Sequence, residues 1–348
     1  MHVDASSNSS DAGSTANTSA NTSPGSLVFH EPDEVEAFAR GAGAVLKSTL
    51  LTAGAYRLEM SETRIMTLRV RRSAVSLPRL TYYAFPAAWT ALTFDLDAHQ
   101  APSMVNGEET SAATVMVAPA GTASFSRTSA GLLSGSVFLA PEKLAASARA
   151  LLGHELPEHA TCRLVRPHPD KLRRLRQLHK ATCEFAAAAP DILALPGVAQ
   201  TFEEEFYRAV VGCLTDDDPA PRGAGARDRA AIMRRFERAL EAHEGEPVYV
   251  TGLCAEIGVS ERVLRRHAQE HLGMSPQHYL WLRRMNMARR ALALADAGKT
   301  TVTTIATGHG FGELGRFAVR YRGLFGESPS ATLRRPNSKP PIEFPILP

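Results

Sequence analysis

A repeat in the last hundred residues constrains this chain more than any other feature. The segment HAQEHLGMSP at 267–276 aligns with RYRGLFGESP at 320–329, an offset of 53 residues. Both segments carry a glycine followed, at the same spacing, by a serine and a proline, and apolar residues match before the glycine. Such repeated spacing indicates two copies of one supersecondary unit. The chain is therefore predicted to end in a duplicated helical structure.

Each copy has the pattern of a helix, a tight turn and a second helix. In the first copy, at about 251–272, Gly258 marks the turn and Ser260 is the expected N-cap of the second helix. The second copy lies at about 301–325. A further helix, starting at Ser275-Pro276 and running to about residue 297, is long enough to join the copies. Because the second helix of a helix-turn-helix enters the DNA major groove, the repeat favours DNA binding.

Charge is distributed unevenly along the chain. The 348 residues include 39 Lys and Arg and 36 Asp and Glu. Residues 228–335 hold roughly 17 of the basic and roughly 11 of the acidic groups, whereas the preceding residues are slightly acidic. All but one of those basic groups are arginines, which stay charged and fit phosphate or guanine edges. This part of the chain therefore suits a polyanion.

Helical spacing divides each second helix into an apolar face and an exposed face. Exposed arginines can bind guanine O6 and N7 or phosphate, with Arg316 as the best candidate for a groove contact in the second copy. The candidate DNA-binding residues are Ser260, Arg262, Arg265, Arg266, Gln269, Glu313, Gly315, Arg316, Arg320 and Arg322. The joining helix carries four more arginines that are expected either to touch the DNA backbone or to pair within the protein: Arg283, Arg284, Arg289 and Arg290.

These motifs resemble the DNA-binding domain of the AraC/XylS family of bacterial transcription regulators. The first copy carries the resemblance in Ala255, Gly258, Val259, Ser260, Leu264, the segment LGMSP at 272–276, Tyr279, Leu280 and Arg283. The second copy carries it in Ile305, Ala306, Gly310, Phe311, Phe317, Tyr321 and the segment FGESP at 325–329. The segments LGRF at 314–317 and PSATL at 329–333 resemble the branch that contains the ethanolamine-operon regulator. One departure is Leu314-Gly315, where the family often has a polar residue.

The resemblance implies a tandem helix-turn-helix domain at 229–335 and the function of a sequence-specific DNA-binding transcription regulator. Such a protein is expected to be an effector-responsive activator of a catabolic or stress operon. Its implied partners are operator or promoter DNA, RNA polymerase and a small-molecule effector of unknown identity, in a homodimer. The first thirty residues lack an apolar signal region and no apolar run is long enough to span a membrane, so a cytoplasmic location is expected.

The first two thirds of the chain have a different character. Strand-like segments at 55–60, 65–70, 90–96, 113–117 and 132–139 precede helix-like segments at 142–152, 168–189 and 195–214. Residues 27–215 are therefore predicted to form a β-rich, cupin-like barrel or sandwich followed by helices, which makes the whole chain α+β. By resemblance this part is the effector-binding and dimerisation domain. A disordered tail is expected at 1–26, a linker at 216–228 and a Pro-rich tail at 336–348.

The β-rich part has no recognisable catalytic or metal-binding pattern. Its histidines are scattered, the four cysteines match no zinc spacing, and neither a cofactor nor an enzymatic activity is expected. Candidate effector contacts are the aromatic residues Tyr56, Tyr82, Trp89 and Phe94. Two alternatives stay open: a cupin-like metal enzyme with an accessory DNA-binding tail, and an architectural DNA-binding protein without an effector.

Overall fold

The computed structural model describes residues 26–215, 224–243 and 248–335. A β-rich part is followed by helices, which confirms the predicted α+β class. The strands are β1 Ser26–Phe29, β2 Val45–Leu50, β3 Leu58–Ile65, β4 Leu68–Val75, β5 Arg79–Ala84, β6 Thr90–Asp95, β7 Met104–Val105, β8 Glu108–Glu109, β9 Val115–Ala118, β10 Ala123–Thr128, β11 Leu132–Leu139 and β12 Arg163–Val165. The helices are α1 Pro32–Gly41, α2 Pro141–Leu152, α3 Pro169–Ala188, α4 Pro190–Leu193, α5 Pro196–Thr215, α6 Ala224–Ala242, α7 Val250–Ile257, α8 Glu261–Leu272, α9 Pro276–Leu294, α10 Val302–Gly308, α11 Leu314–Phe325 and α12 Pro329–Arg334.

The strands form two antiparallel sheets that face each other. One sheet has the order β1-β3-β4-β11-β6-β9-β12 and the other the order β2-β5-β10-β7-β8. Side chains from both sheets line one internal cavity. Because the strands belong to two separate sheets, the β-rich part is a cupin-like sandwich and not a closed barrel.

Two tight turns show why some strand boundaries were predictable and others were not. Asn106 and Gly107 both have positive φ (51° and 84°) and join β7 to β8, as expected of an Asn-Gly hairpin turn. The predicted strand at 65–70 is wrong, because Met66 has a φ of 47° and turns the chain from β3 into β4. Methionine is an uncommon residue at positive φ, so the sequence contains no signal for this turn.

Each sheet buries its outer face under helices. Leu92 and Val137 of the seven-stranded sheet share an apolar cluster with Leu175 of α3 and Phe206 of α5. The helices α2, α3 and α5 start and end within one residue of the predicted segments. The five-stranded sheet is covered by the C-terminal helices instead, and its residues Leu80, Tyr82 and Phe125 share a cluster with Phe236 of α6 and Leu272 of α8.

In the C-terminal part, α7 and α8 form one helix-turn-helix unit, α10 and α11 form a second, and α9 connects them. Gly258 ends α7 with a φ of 70°, and the Ser260 hydroxyl accepts a hydrogen bond from the backbone N–H of Val263 at 3.3 Å. The Ser275 hydroxyl caps α9 in the same manner, and Gly326 ends α11. These local signals define the helix ends because they satisfy backbone groups that the helix itself leaves unpaired.

Polar contacts join the two parts along α9. The side chain of Asn286 accepts a hydrogen bond from the Leu50 N–H at 3.0 Å and donates one to the Leu50 carbonyl at 3.3 Å. Arg289 pairs with Glu31 just before α1, with Nη2 and Oε1 3.0 Å apart. Gly107 of the β7–β8 turn lies against the backbone of Glu270, so closely that a side chain there would overlap the Glu270 carbonyl. The β-sandwich is therefore docked on α8 and α9.

Several predicted segments lie partly or wholly outside the described residues. The tail expected at 1–26 does so except for Ser26, which begins β1. The linker expected at 216–228 ends earlier than predicted, because the chain is helical from Ala224 onward. The Pro-rich tail at 336–348 lies outside the described residues. Among the described helices, none combines the length and apolar character that a membrane span requires.

Candidate nucleic-acid interface

Helix α8 has one buried face and one exposed arginine-rich face. Leu264, Ala268 and Leu272 are at most 1% exposed, in the cluster that includes α6, α7 and the β-sandwich. The opposite face of the helix is exposed and carries the residues predicted to contact DNA, which are Arg262, Arg265, Arg266 and Gln269. These four side chains share one surface, as the helical spacing predicts. Ser260 lies at the start of this surface and caps the helix.

Helix α11 also presents an exposed face, and it is less polar than that of α8. Phe317, Tyr321 and Leu324 are buried. The predicted residues Glu313, Gly315, Arg316, Arg320 and Arg322 are all exposed. Arg316 lies beside Glu313, with Nε and Oε2 3.0 Å apart, but both side chains are largely exposed, so this pair stabilises little and leaves the guanidinium available.

Two apolar side chains on α11 were not among the predicted site residues. Val319 is 74% exposed and Leu314 is 37% exposed, on a helix whose opposite face is fully packed. Apolar side chains on a recognition helix can contact the methyl group of thymine. The signal that could have found them is the helical period itself, which places Val319 three residues from Arg316 and on the same side.

The arginines of α9 pair within the protein. Arg283 Nη1 is 2.7 Å from Glu237 Oε1 of α6, and the Glu237 side chain is fully buried. Burial raises the pKa of Glu237, while the charge of Arg283 opposes this shift. Arg289 binds Glu31, Arg290 lies 3.4 Å from Asp33 of α1, and the Arg284 guanidinium lies over the Phe311 ring. The alternative that these groups contact DNA is therefore not supported.

The four candidate effector residues do not form one site. The Tyr56 hydroxyl accepts a hydrogen bond from Arg79 Nη1 at 2.6 Å, and Trp89 lies under the Arg69 guanidinium. Tyr82 packs against Phe125 on the outer face of the five-stranded sheet. Phe94 borders the internal cavity, but its ring packs edge-on against His179 of α3. Of the four candidates, Phe94 alone borders this cavity, which the aromatic residues Tyr83, Phe85 and Phe138 also line.

The cavity has apolar side chains on its lining and also many hydroxyl groups, which were not among the predicted site residues. Alternate positions on β10 supply Ser124, Ser126 and Thr128, and β5 supplies Arg79 and Thr81. Because successive strand residues face opposite sides, the run of serine and threonine at every second position of β10 was the available signal. Within the described residues, no group of three or more His, Cys, Asp or Glu side chains could hold a metal ion.

One family model and several curated regulators match part of this chain. A family model described as a helix-turn-helix domain matches residues 253–335. The probable thc operon regulatory protein of Rhodococcus erythropolis is 43% identical over 103 residues, which is 30% of this chain and 31% of that protein. The XylDLEGF operon transcriptional activator 3 of Pseudomonas putida is 39% identical over 119 residues, which is 32% of this chain and 36% of that protein.

A solved structure is similar over the same share of the chain. The probable AraC family transcriptional regulator from Rhodopseudomonas palustris is 37% identical and covers 30% of this chain and 96% of that chain, with a TM-score of 0.28. The chain spans about a third of the length of the two curated relatives. Together with the paired helix-turn-helix units, the family match shows that the C-terminal part of this chain is a helix-turn-helix domain, and the chain is similar in sequence to two operon regulators.

Proposed function

We propose that this chain is a sequence-specific DNA-binding transcription regulator. The observation that carries the proposal is the pair of helix-turn-helix units in which α8 and α11 each bury one face and expose arginines on the other. The names of the similar proteins, an operon regulatory protein and an operon transcriptional activator, support it. They favour a regulator over a metal enzyme or an architectural protein.

The two recognition helices would enter successive major-groove segments, about 34 Å or one helical turn apart. Arg262, Arg265 and Arg266 on α8 supply much of the affinity by displacing counterions from phosphates. On α11, Arg316 would read a guanine edge and Val319 would contact a thymine methyl group. Affinity therefore falls steeply with salt, while base preference depends on a few side chains.

The β-sandwich would make this regulator responsive to a small molecule. Its internal cavity provides a binding volume, and its docking on α8 and α9 provides a route from that volume to the DNA-binding part. A ligand that binds one arrangement of the two parts better than another would shift the population between them. The regulator would act in the cytoplasm as an activator that recruits RNA polymerase, and as a homodimer through α3 and α5.

The test is DNA binding by two single substitutions, Arg262→Ala in α8 and Arg316→Ala in α11. DNA selected from a randomised library by the wild-type protein serves as the probe, and affinity is measured by fluorescence anisotropy across a salt titration. If the arginine makes a bidentate contact to a base, its substitution should weaken binding by about 1–3 kcal/mol and relax the preference at one base position. If it contacts a phosphate instead, the substitution should weaken binding to all sequences and reduce the slope of log affinity against log salt concentration by about one.

Arg149→Ala is the matched control. Arg149 lies on α2 of the β-rich part, is exposed and pairs with Glu155. This variant should bind the selected DNA with wild-type affinity. If Arg262→Ala and Arg316→Ala also bind like the wild type at every salt concentration, α8 and α11 are not the recognition helices and the proposal is wrong.

A further inference from the structure

The cavity between the two sheets has a volume of about 190 Å³, and its largely apolar lining carries hydroxyl groups and two arginines. One part of it is apolar and includes Leu58, Met60 and Phe138. The other part is formed by hydroxyl side chains from both sheets, among them Thr81, Ser124 and Ser126 of the five-stranded sheet and Ser73, Ser134 and Ser136 of the seven-stranded sheet. Such convergent polar groups beside apolar surface are typical of small-molecule sites.

Arg79 of β5 brings a positive charge to this cavity without a carboxylate to balance it. The residue is 9% exposed, and no described carboxylate lies within salt-bridge distance of it. Its Nη1 donates a hydrogen bond to the Tyr56 hydroxyl, but its buried Nε has no hydrogen-bond partner among the described residues. The edge of the guanidinium formed by Nε and Nη2 is therefore unused by the part of the protein that the structure describes.

The neighbouring groups do not neutralise Arg79. Burial raises the pKa of Tyr56 above its usual value, so this phenol is uncharged at neutral pH. Arg71, the other arginine on the cavity lining, differs because it is held by Glu62, with Nη2 and Oε2 2.6 Å apart. Asp95 also lines the cavity, but its neighbouring charge is Arg176 and not Arg79. A buried charge without a partner is costly, so an arginine persists at such a place where something else compensates it.

We propose that this cavity binds a small hydroxylated carboxylate, with Arg79 as its anchor. The planar guanidinium edge of Nε and Nη2 matches the two oxygens of a carboxylate, and two parallel charge-assisted hydrogen bonds would form there. The serine and threonine hydroxyls can both donate to and accept from hydroxyl groups on the ligand. The carbon skeleton of the ligand would lie on the apolar part of the lining.

The same strands connect this cavity to the DNA-binding part. Arg79 and Thr81 of β5 face the cavity, whereas Leu80 and Tyr82 face the C-terminal helices. On β10, Ser124 and Ser126 face the cavity, while the Phe125 ring packs edge-on against His271 of α8, with centroids 5.4 Å apart. That the carboxylate is the effector rests on the regulatory function proposed above, whereas its binding at Arg79 does not.

The experiment measures binding of three acids to the full chain, each beside a neutral counterpart. The pairs are glycerate and glycerol, gluconate and sorbitol, and 4-hydroxybenzoate and 4-hydroxybenzamide, followed by calorimetry and by thermal unfolding. At least one acid should bind and raise the unfolding temperature, while its neutral counterpart binds at least tenfold more weakly. Arg79→Gln should weaken binding of that acid by about 10- to 100-fold, the range expected for losing a charge-assisted hydrogen bond.

Two further variants keep the result interpretable. Arg79→Lys retains the charge without the planar fork and should bind the acid with intermediate affinity, even if Arg79→Gln does not fold. Arg57→Gln removes an exposed arginine outside the cavity, one that pairs with Glu59, and should bind like the wild type. Without any acid, folded Arg79→Gln should bind the selected DNA as the wild type does, so a failure of ligand binding is distinguishable from a failure of the proposed DNA-binding function.

Three results would overturn the assignment. The first is that none of the three acids binds the wild-type protein. The second is that the neutral counterparts bind as tightly as the acids. The third is that folded Arg79→Gln binds an acid with wild-type affinity.

Discussion

His271 lies where α8 meets the outer face of the five-stranded sheet, packed against Phe125. Burial lowers its pKa to about 4, and the nearby charges of Arg229 and His267 act in the same direction. The imidazole is therefore neutral in the folded protein at pH 7. Because the folded pKa lies below that of the unfolded chain, the unfolded state binds the proton first as the pH falls, and the folded state loses stability on acidification.

This gives a pH prediction for a single residue. Between pH 7 and pH 5, protonation of His271 in the unfolded chain should lower the unfolding free energy of the wild-type protein by about 2 kcal/mol. The His271→Phe variant lacks this contribution and should lose less stability by that amount. Urea unfolding at a series of pH values measures the difference between the two proteins. His99→Phe, at an exposed loop position, is the control and should retain the wild-type slope. Equal slopes for His271→Phe and the wild type would mean that His271 is not buried as a neutral group.

The arginines show which surroundings of a single side chain can be predicted from the sequence and which cannot. The exposed arginines of α8 were predictable, because helical spacing fixes which side chains share a face. The arginines of α9 were not, because their partners Glu237, Glu31 and Asp33 are distant in sequence. Arg79 was not predictable either, since a charged residue in a strand usually lies on the exposed face, and only the packing of a second sheet against β5 buries it.

At the scale of elements, the C-terminal helices were more predictable than the strands because their ends are determined locally. Serine caps and left-handed glycines sit within the segment whose ends they set. Strand β5 has no such signal: Arg79, Leu80, Thr81 and Tyr82 are all buried, because one face lines the cavity and the other contacts the C-terminal helices. A strand covered on both faces loses the alternation of apolar and polar residues on which its prediction depends.

Two glycines, one inside α7 and one at its end, should respond in opposite ways to substitution by alanine. Gly258 has a φ of 70° and open space where a Cβ would be, so Gly258→Ala should destabilise the protein through backbone strain alone, by about 1–2 kcal/mol. Gly252 lies inside α7, also with open space, and Gly252→Ala should stabilise it by about 0.5–1 kcal/mol. Chemical denaturation of both variants measures the two effects. The same sign for both substitutions would contradict this helix and its turn.

At the scale of the whole molecule, part of the positive charge of the C-terminal domain serves the contact with the β-sandwich. Glu31 pairs with Arg289 and also lies 3.7 Å from Arg335, and Asp33 and Glu36 lie near Arg290. The sequence indicates the charge but not how much of it pairs within the protein, since that depends on how the two parts dock. The positive charge left for a partner such as the proposed DNA is therefore smaller than the sequence count implies.

The docking itself can be tested at Asn286. Asn286→Ala removes both hydrogen bonds to the backbone of Leu50, and the polar groups left unpaired in this half-buried place should cost about 1–3 kcal/mol. Limited proteolysis should cut the chain between the two parts faster than in the wild type. Gln277→Ala, at an exposed position on the same helix, should leave both measurements unchanged. Wild-type behaviour of Asn286→Ala would mean that the hydrogen bonds of Asn286 to Leu50 do not help to hold the two parts together.

The five-stranded sheet separates the cavity from the C-terminal helices, and alternate residues along its strands face the two sides. Odd-numbered positions of β5 and even-numbered positions of β10 line the cavity, while the residues between them contact the C-terminal helices. If the cavity binds the proposed carboxylate, substitutions such as Thr81→Val or Ser124→Ala would change which ligand is bound and leave the contacts to α6 and α8 as they are. Ligand preference could then evolve separately from the contact between the two parts.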